Sequence, residues 1–320
     1  MKAMILAAGL GTRLFPLTQK RPKPLFPIYN TPLLGIIINR LKKIGVTELA
    51  VNTHWLAPRI TDYLEKGSFG GINITISHEP EILGTGGGIK KLEDFFGNEP
   101  FIVVNGDIFH NIDLSRAYHI HIKNKNLVTL ILHNTSRFRR VEIDEENNIV
   151  GLRGKRLKET TSPVSLYAFT GIHIISFELI GMMPKGKGDI ITFYQKLIQQ
   201  GAPIRGELIQ GHYWRDMGSF EEYHRLHRDL LQNRSIIDLE IFKDIPIPSL
   251  GLETSLGKNT RCQGYVSIGS HTKIGDQCVI KNSIIWDQVD VADHLRIENC
   301  IIGDGVRVRS SLRNQIVAGD

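Results

Sequence analysis

The chain has 320 residues, 41% hydrophobic and 22% charged, with a formal net charge of +6; that length suits two domains, and its apolar runs are too short to span a membrane. Basic residues are scattered without an aromatic-basic signature, which argues against nucleic acid and for phosphorylated small molecules. Cys262, Cys278 and Cys300 lack CxxC spacing, which argues against zinc and for reduced thiols in a cytoplasmic protein.

Residues 3–8 (AMILAA) predict a buried parallel strand, too short and lacking the context for a signal peptide. The chain then turns at Gly9 and Gly11, where glycines let backbone N–H groups point at an anion, and Arg13 and Lys23 add full positive charge. The first 47 residues hold eight Lys or Arg and no carboxylate, so a polyanion meets no local repulsion. A dinucleotide fingerprint lacks its third glycine and its later acid, and the GxxxxGK[ST] spacing is missed.

Thr31 and Pro32 read as N-cap and first residue of a helix whose apolar face is Leu33, Ile36, Ile37, Leu41 and Ile44, ending at Gly45. A strand at 48–52, a helix at 57–66 and strands at 73–78 and 100–105 complete a βαβαβ order, which predicts a doubly wound α/β domain with a parallel sheet. Two further motifs lie at strand ends. EPEILGTGGGI (79–89) brings glycines that let a flat ring approach the chain, and VNGD places Asp107 just beyond an apolar strand. A carboxylate there suits a cation, with an Asx turn or helix cap as the structural alternative.

In GHYWRDMGSFEEY (211–223), Ser219 and Glu222 form a capping box for a helix running to about 233, which leaves Asp216 in the loop before it. Residues 1–233 form the predicted first domain, and residues 234–250, with Pro246 and Pro248, the linker. From 251 to 320 the texture has a period of six, with Leu256, Cys262, Ile268, Ile274 and Ile280 at successive sixth positions and phase slips near Trp286 and before Ile302. This predicts a short left-handed parallel β-helix of about three coils.

Gly9, Gly11, Arg13, Pro16, Thr18 and Pro22-Lys23-Pro24 resemble the GxGxRxxPxT and PKP signature of the sugar-1-phosphate nucleotidyltransferases, or NDP-sugar pyrophosphorylases. The resemblance implies a Rossmann-like doubly wound mixed sheet. It implies transfer of a nucleotidyl group from a nucleoside triphosphate to a sugar 1-phosphate, releasing pyrophosphate. Leu6, Ala7, Ala8, Gly9, Gly11 and Thr12 would cradle the nucleotide, Arg13 would assist departure of pyrophosphate, and Lys23 would contact phosphate oxygens. Glu79, Leu83, Gly84 and Thr85 become base and ribose contacts, while Asn105 and Gly171, the latter in AFTGIH (168–173), become sugar contacts. Asp107 and Asp216 become the Mg2+ ligands, with Asp107 counted among the catalytic residues, and Asp216 stands in a segment similar to the family's W-x-D-x-G-[ST] motif.

One departure concerns the acceptor. The family's Glu-Lys-Pro segment is replaced by RGKRLKETTSP, which leaves Lys155, Arg156, Lys158 or Arg139 as the contact to the sugar phosphate. VNTHWL (51–56) and LGTGGGI resemble N-acetylmuramate-1-phosphate uridylyltransferases and mannose- or heptose-1-phosphate guanylyltransferases, which implies GTP or UTP as donor; His54 and Trp55 alternatively pack a loop. The expected partners are these two substrates, with no nucleic acid or membrane, in a homo-oligomer joined through the β-helix. The rival readings are an inactive regulatory or nucleotide-sugar-sensing homologue, and a bifunctional acyltransferase using His271 or His294, for which no clear motif exists.

Overall fold

The apolar run at the N-terminus forms β1 (Lys2–Leu6), whose residues Ala3, Met4 and Ile5 are fully buried, as a strand inside a parallel sheet requires. The computed structural model describes residues 1–232 and 246–319. They fall into two compact units, Met1–Gly9 with Ile37–Asp216, and Leu10–Ile36 with Met217–Asp320. Of the expected linker, residues 234–245 lie outside the described residues.

In the first unit β2 (Glu48–Thr53), β3 (Asn73–His78) and β4 (Phe101–Asn105) run parallel to β1 in the order β3-β2-β1-β4. The strand order reverses between β1 and β4, the place where doubly wound sheets bind ligands at their carboxyl ends. Beyond β4 the sheet continues antiparallel through β5 (Ser165–Ile175), which pairs with Val128–His133 and with Arg139–Ile143, giving a mixed sheet of ten strands. The core beneath it is aliphatic and aromatic, with Phe96 stacked on Phe101 at 3.7 Å between ring centroids.

The glycine-rich stretch after β3 is helical, as α1 (Gly84–Lys91). Glycine is a poor helix former, so packing decides here. A Cβ on Gly84 would sit 2.6 Å from the Gly188 carbonyl oxygen, and one on Gly87 would strike the Gly186 carbonyl, so only bare backbone lets α1 lie against residues 186–190.

In the second unit Thr31 and Pro32 do not cap and start a helix. They pair with Pro27–Ile28 in a two-residue hairpin, and the helix begins at Leu33. Tyr29 and Asn30 both carry positive φ (46° and 67°), the backbone of a tight hairpin turn. Ser219 Oγ accepts the Glu222 N–H at 3.3 Å at the start of the helix Phe220–Gln232.

The six-residue period folds as three parallel sheets of five, four and four strands. Leu250 pairs with Ile268, Ile268 with Ile285, Ile285 with Ile302 and Ile302 with Val317, so successive coils hold 18, 17, 17 and 15 residues. That makes four coils and a closing strand instead of three. The later coils are one to three residues short of eighteen, which takes the last repeats out of a strict period of six. Ile268, Ile274, Ile280, Ile285, Ile297 and Ile302 fill the interior. His271 and His294 stand at corners with positive φ (56° and 62°), and His271 Nδ1 faces Glu253.

Candidate active site

Three strand ends of the first unit meet in register, with Leu6 opposite both Asn52 and Asn105. Asn52, inside VNTHWL (51–56) but given no role by the sequence reading, ties this corner together. Its Oδ1 accepts the Ala7 N–H at 2.8 Å, and its Nδ2 donates to Glu79 Oε1 at 2.8 Å. Glu79, fully buried, accepts the Leu83 N–H through Oε2 at 2.9 Å. A single polar chain therefore sets the backbone of Ala7, the end of β3 and the start of α1. His54 Nδ1 adds a bond to the Glu79 carbonyl at 2.8 Å, which is its packing role in the loop after β2.

Gly88 lies against this network, where a Cβ would come within 2.8 Å of both Asn52 Nδ2 and Glu79 Oε1. Thr85 is held by Asp189 and by the Ile190 N–H, which its Oγ1 accepts at 2.9 Å. Leu6, Ala7, Ala8, Glu79, Leu83, Gly84 and Thr85 thus share one scaffold in the first unit. Gly9 ends that unit's N-terminal segment with open space where a Cβ would stand.

Asp107 occupies the turn between β4 and the short strand Ile108–His110, where the Gly106 N–H donates to the Leu6 carbonyl at 2.8 Å. Trp214–Asp216 pairs antiparallel with that short strand and sets Asp216 opposite Ile108, the residue after Asp107. The two candidate metal ligands are thereby brought onto adjacent backbone. Two carboxylates offering oxygen suit a hard divalent ion that takes its other ligands from substrate phosphates and water. Among the described residues no group of three or more His, Cys, Asp or Glu converges to hold an ion by itself. His110, buried on the same strand, is held well below the ordinary histidine range by its burial and by the charge of Arg40.

Gly171 interrupts β5 at φ +78°, where a Cβ would lie 2.7 Å from Asn105 Nδ2. The bare backbone leaves room for the Asn105 amide at the wall of a cavity of about 280 Å³. Thr85, Asn105, Arg140, Arg153, Phe169 and Asp189 line it. None of the four expected acceptor-phosphate residues does. Arg139 is turned to the Thr135 carbonyl and Asn134, Arg156 pairs with Glu142, and Lys155 and Lys158 lie elsewhere. Arg153 pairs with Asp189 at 2.8 Å. Burial raises the Asp189 carboxyl, but hydrogen bonds from Thr192 and the Arg153 charge outweigh it and hold the group below its usual range.

Gly11, Thr12, Arg13 and Lys23 belong to the second unit. Gly11 has φ +67°, and Thr18 Oγ1 donates to its carbonyl at 3.0 Å, which closes the turn. Thr12 and Arg13 form an exposed single turn of 3-10 helix, whereas Lys23 is buried at the start of another behind Pro22.

Residues 2–233 match the nucleotidyl transferase family, and residues 250–320 match the GMPPB C-terminal domain. The chain is 29% identical to a UTP–glucose-1-phosphate uridylyltransferase of Synechocystis sp., over 98% of this chain and 85% of that protein. It is 48% identical to an N-acetylmuramate alpha-1-phosphate uridylyltransferase of Neisseria meningitidis serogroup B, over 37% of this chain and 52% of that one. The solved structure of HddC from Yersinia pseudotuberculosis superposes with a TM-score of 0.59 at 24% identity, covering 70% of this chain and 97% of that one. Enzymes of this kind generally use a divalent metal. With its strand order, its strand-end carboxylates and a match over residues 2–233, the chain belongs to the nucleotidyl transferase family.

Proposed function

We propose that the chain joins a nucleoside triphosphate, GTP or UTP, to a sugar 1-phosphate, with Asp107 and Asp216 holding Mg2+ and with Arg13 and Lys23 on the triphosphate. The observation that carries this reading is the β-ladder that sets Asp216 opposite Ile108, the residue after Asp107, next to the switch point of the sheet. An oxygen of the sugar phosphate attacks the α-phosphorus in line, and the bond to the β-phosphate oxygen breaks. Positioning and charge neutralisation supply most of the acceleration in such a step. Mg2+, when bound, would neutralise the α-phosphate. The backbone of Leu6, Ala7, Ala8, Gly9, Gly11 and Thr12 receives the phosphates, and Arg13 meets the charge that grows on departing pyrophosphate.

Leu83, Gly84 and Thr85 present the edge of α1 to base and ribose, and Glu79 positions them from below. Asn105 and Gly171 admit the sugar into the cavity. Arg140, whose guanidinium makes no ion pair among the described residues, takes the place of Arg139, Lys155, Arg156 and Lys158 as the group that receives the acceptor phosphate.

The setting proposed is a cytoplasmic homo-oligomer. Three free cysteines support the first part; for the second, Leu250, Leu252 and Leu256 are exposed on the first coil, Leu252 at 77%. No helix among the described residues is long and apolar enough to cross a membrane. Incubating the protein with Mg2+, each of five nucleoside triphosphates and a panel of sugar 1-phosphates tests the reading. Pyrophosphate release that depends on one sugar phosphate is expected, and none with any pair refutes it. A monomer by light scattering at micromolar concentration would refute the oligomer.

A further inference from the structure

Within the second unit the stretch that carries Arg13 and Lys23 is pinned to the β-helix at one charged point. Arg21 Nε donates to Asp304 Oδ2 at 2.9 Å, and one terminal nitrogen donates to Asp304 Oδ1 at 2.7 Å and to Asp287 Oδ2 at 2.6 Å. Asp287 and Asp304 lie on consecutive coils, linked by the Asp287 N–H, which Asp304 Oδ1 accepts at 3.1 Å. The guanidinium also covers the Trp286 ring at 5.0 Å. Two acids this close repel unless a cation sits between them, and a planar guanidinium fits a carboxylate in two-point fashion as lysine does not.

The residues after Arg21 run on down the same face of the β-helix. Phe26 packs edge-on to Trp286 at 4.7 Å between centroids, and the Pro27 carbonyl accepts the hydroxyl of Tyr223, a residue of the helix Phe220–Gln232 whose oxygen in turn accepts the Trp286 Nε1–H at 3.3 Å. Asn30 Nδ2 donates to Ser249 Oγ and to the Ile268 carbonyl. On the near side, Leu17 Cδ2 meets Gly303, where a Cβ would come within 2.9 Å. Lys23 is two residues from the ion pair.

We propose that Arg21 is a positioning residue, held by Asp287 and Asp304 of the β-helix so that the stretch bearing Arg13 and Lys23 keeps its working shape, which makes the β-helix a contributor to catalysis. This rests on the reading that Arg13 and Lys23 serve the triphosphate. A β-helix used only for assembly would not need a charged grip on that stretch.

The test uses the full-length chain in three forms: Arg21→Met, which keeps the stem over Trp286, Arg21→Lys, and the pair Asp287→Asn with Asp304→Asn. Expected in Arg21→Met is a fall of about ten- to a hundredfold in kcat/KM for the nucleoside triphosphate. KM for the sugar 1-phosphate should not move, and Arg21→Lys should recover part of the loss. The paired variant should match Arg21→Met, and combining them should add little. Hydrogen exchange of peptides covering residues 10–36 should quicken in the same variants. Folded Arg21→Met with wild-type kinetics and unchanged exchange overturns the proposal; if that variant fails to fold, the paired asparagine variant decides by the same two readings. A wild-type chain that releases no pyrophosphate with any pair refutes the reading of the reaction, and exchange then decides the grip on its own.

Discussion

Asn52 Oδ1 accepts the Ala7 N–H at 2.8 Å while its Nδ2 donates to Glu79 Oε1 at 2.8 Å, so the turn after the first strand and the glycine helix after the third are set by one side chain. Replacing it removes an acceptor and a donor from buried surroundings. Asn52→Leu should destabilise the fold by about 1–3 kcal/mol for each buried group left without a partner. A urea midpoint unchanged from wild type would show that the network carries no weight.

Gly87→Ala should be costly for a different reason. The added methyl strikes the Gly186 carbonyl, and backbone has no easy way to yield. Overpacking of this kind costs about 1–3 kcal/mol, whereas Gly9→Ala, with open space at its Cβ, should leave the midpoint alone. Equal midpoints for the two variants would contradict the close packing of α1.

Asp107→Asn and Asp216→Asn should fold like wild type and lose roughly a hundredfold or more in turnover at saturating Mg2+, because each removes negative charge from the proposed metal position. Chelation of the metal should abolish turnover reversibly. Wild-type turnover in either variant would remove that aspartate from the mechanism.

Arg140→Ala should raise KM for the sugar 1-phosphate by about ten- to a hundredfold, the loss of one charge-assisted contact. Arg156→Ala should leave that constant unchanged, because Arg156 is engaged by Glu142 away from the cavity. The reverse pattern would return the acceptor phosphate to the segment after Gly154.

Acid should weaken the fold through buried histidines. Burial lowers His121 from 6.5 to about 4 and His173 to about 3. Both are neutral in either state above pH 6.5, so their contribution is complete there. As pH falls from 6.5 toward 4 the unfolded chain takes up protons that the folded chain does not, and stability drops by at most about 1.4 kcal/mol per pH unit for each histidine. Urea midpoints at pH 8, 6 and 5 should fall in that order, and a flat series would contradict the burial.

How far the residues alone carry the fold depends on whether the deciding contacts are local. The apolar run of β1 and the alternation through β4 follow from periodicity, and the β-helix follows because every sixth side chain must point inward until a corner shortens. Thr31-Pro32 misleads because the same two residues suit a helix cap and a hairpin, and only Tyr29 and Asn30 with positive φ separate the two. In the candidate site, Gly11 in its turn and Asp107 beyond its strand are visible as residue types, whereas Asp216, expected in a loop, ends the strand Trp214–Asp216. The use of Glu79 inside a buried network is not visible, because its partner Asn52 reads as one polar residue in an apolar strand. Arg140 reaches the cavity through the pairing of Arg139–Ile143 with β5, and Arg21 finds its acids 266 and 283 residues later.

In the proposed reaction the sugar phosphate attacks the α-phosphorus of the triphosphate. It is tested most directly with sugar 1-phosphate carrying 18O in its phosphate oxygens, with mass spectrometry of the products. All the label should stay in the nucleotide sugar, with pyrophosphate unlabelled. Label in pyrophosphate, or release of inorganic phosphate in place of pyrophosphate, would contradict it.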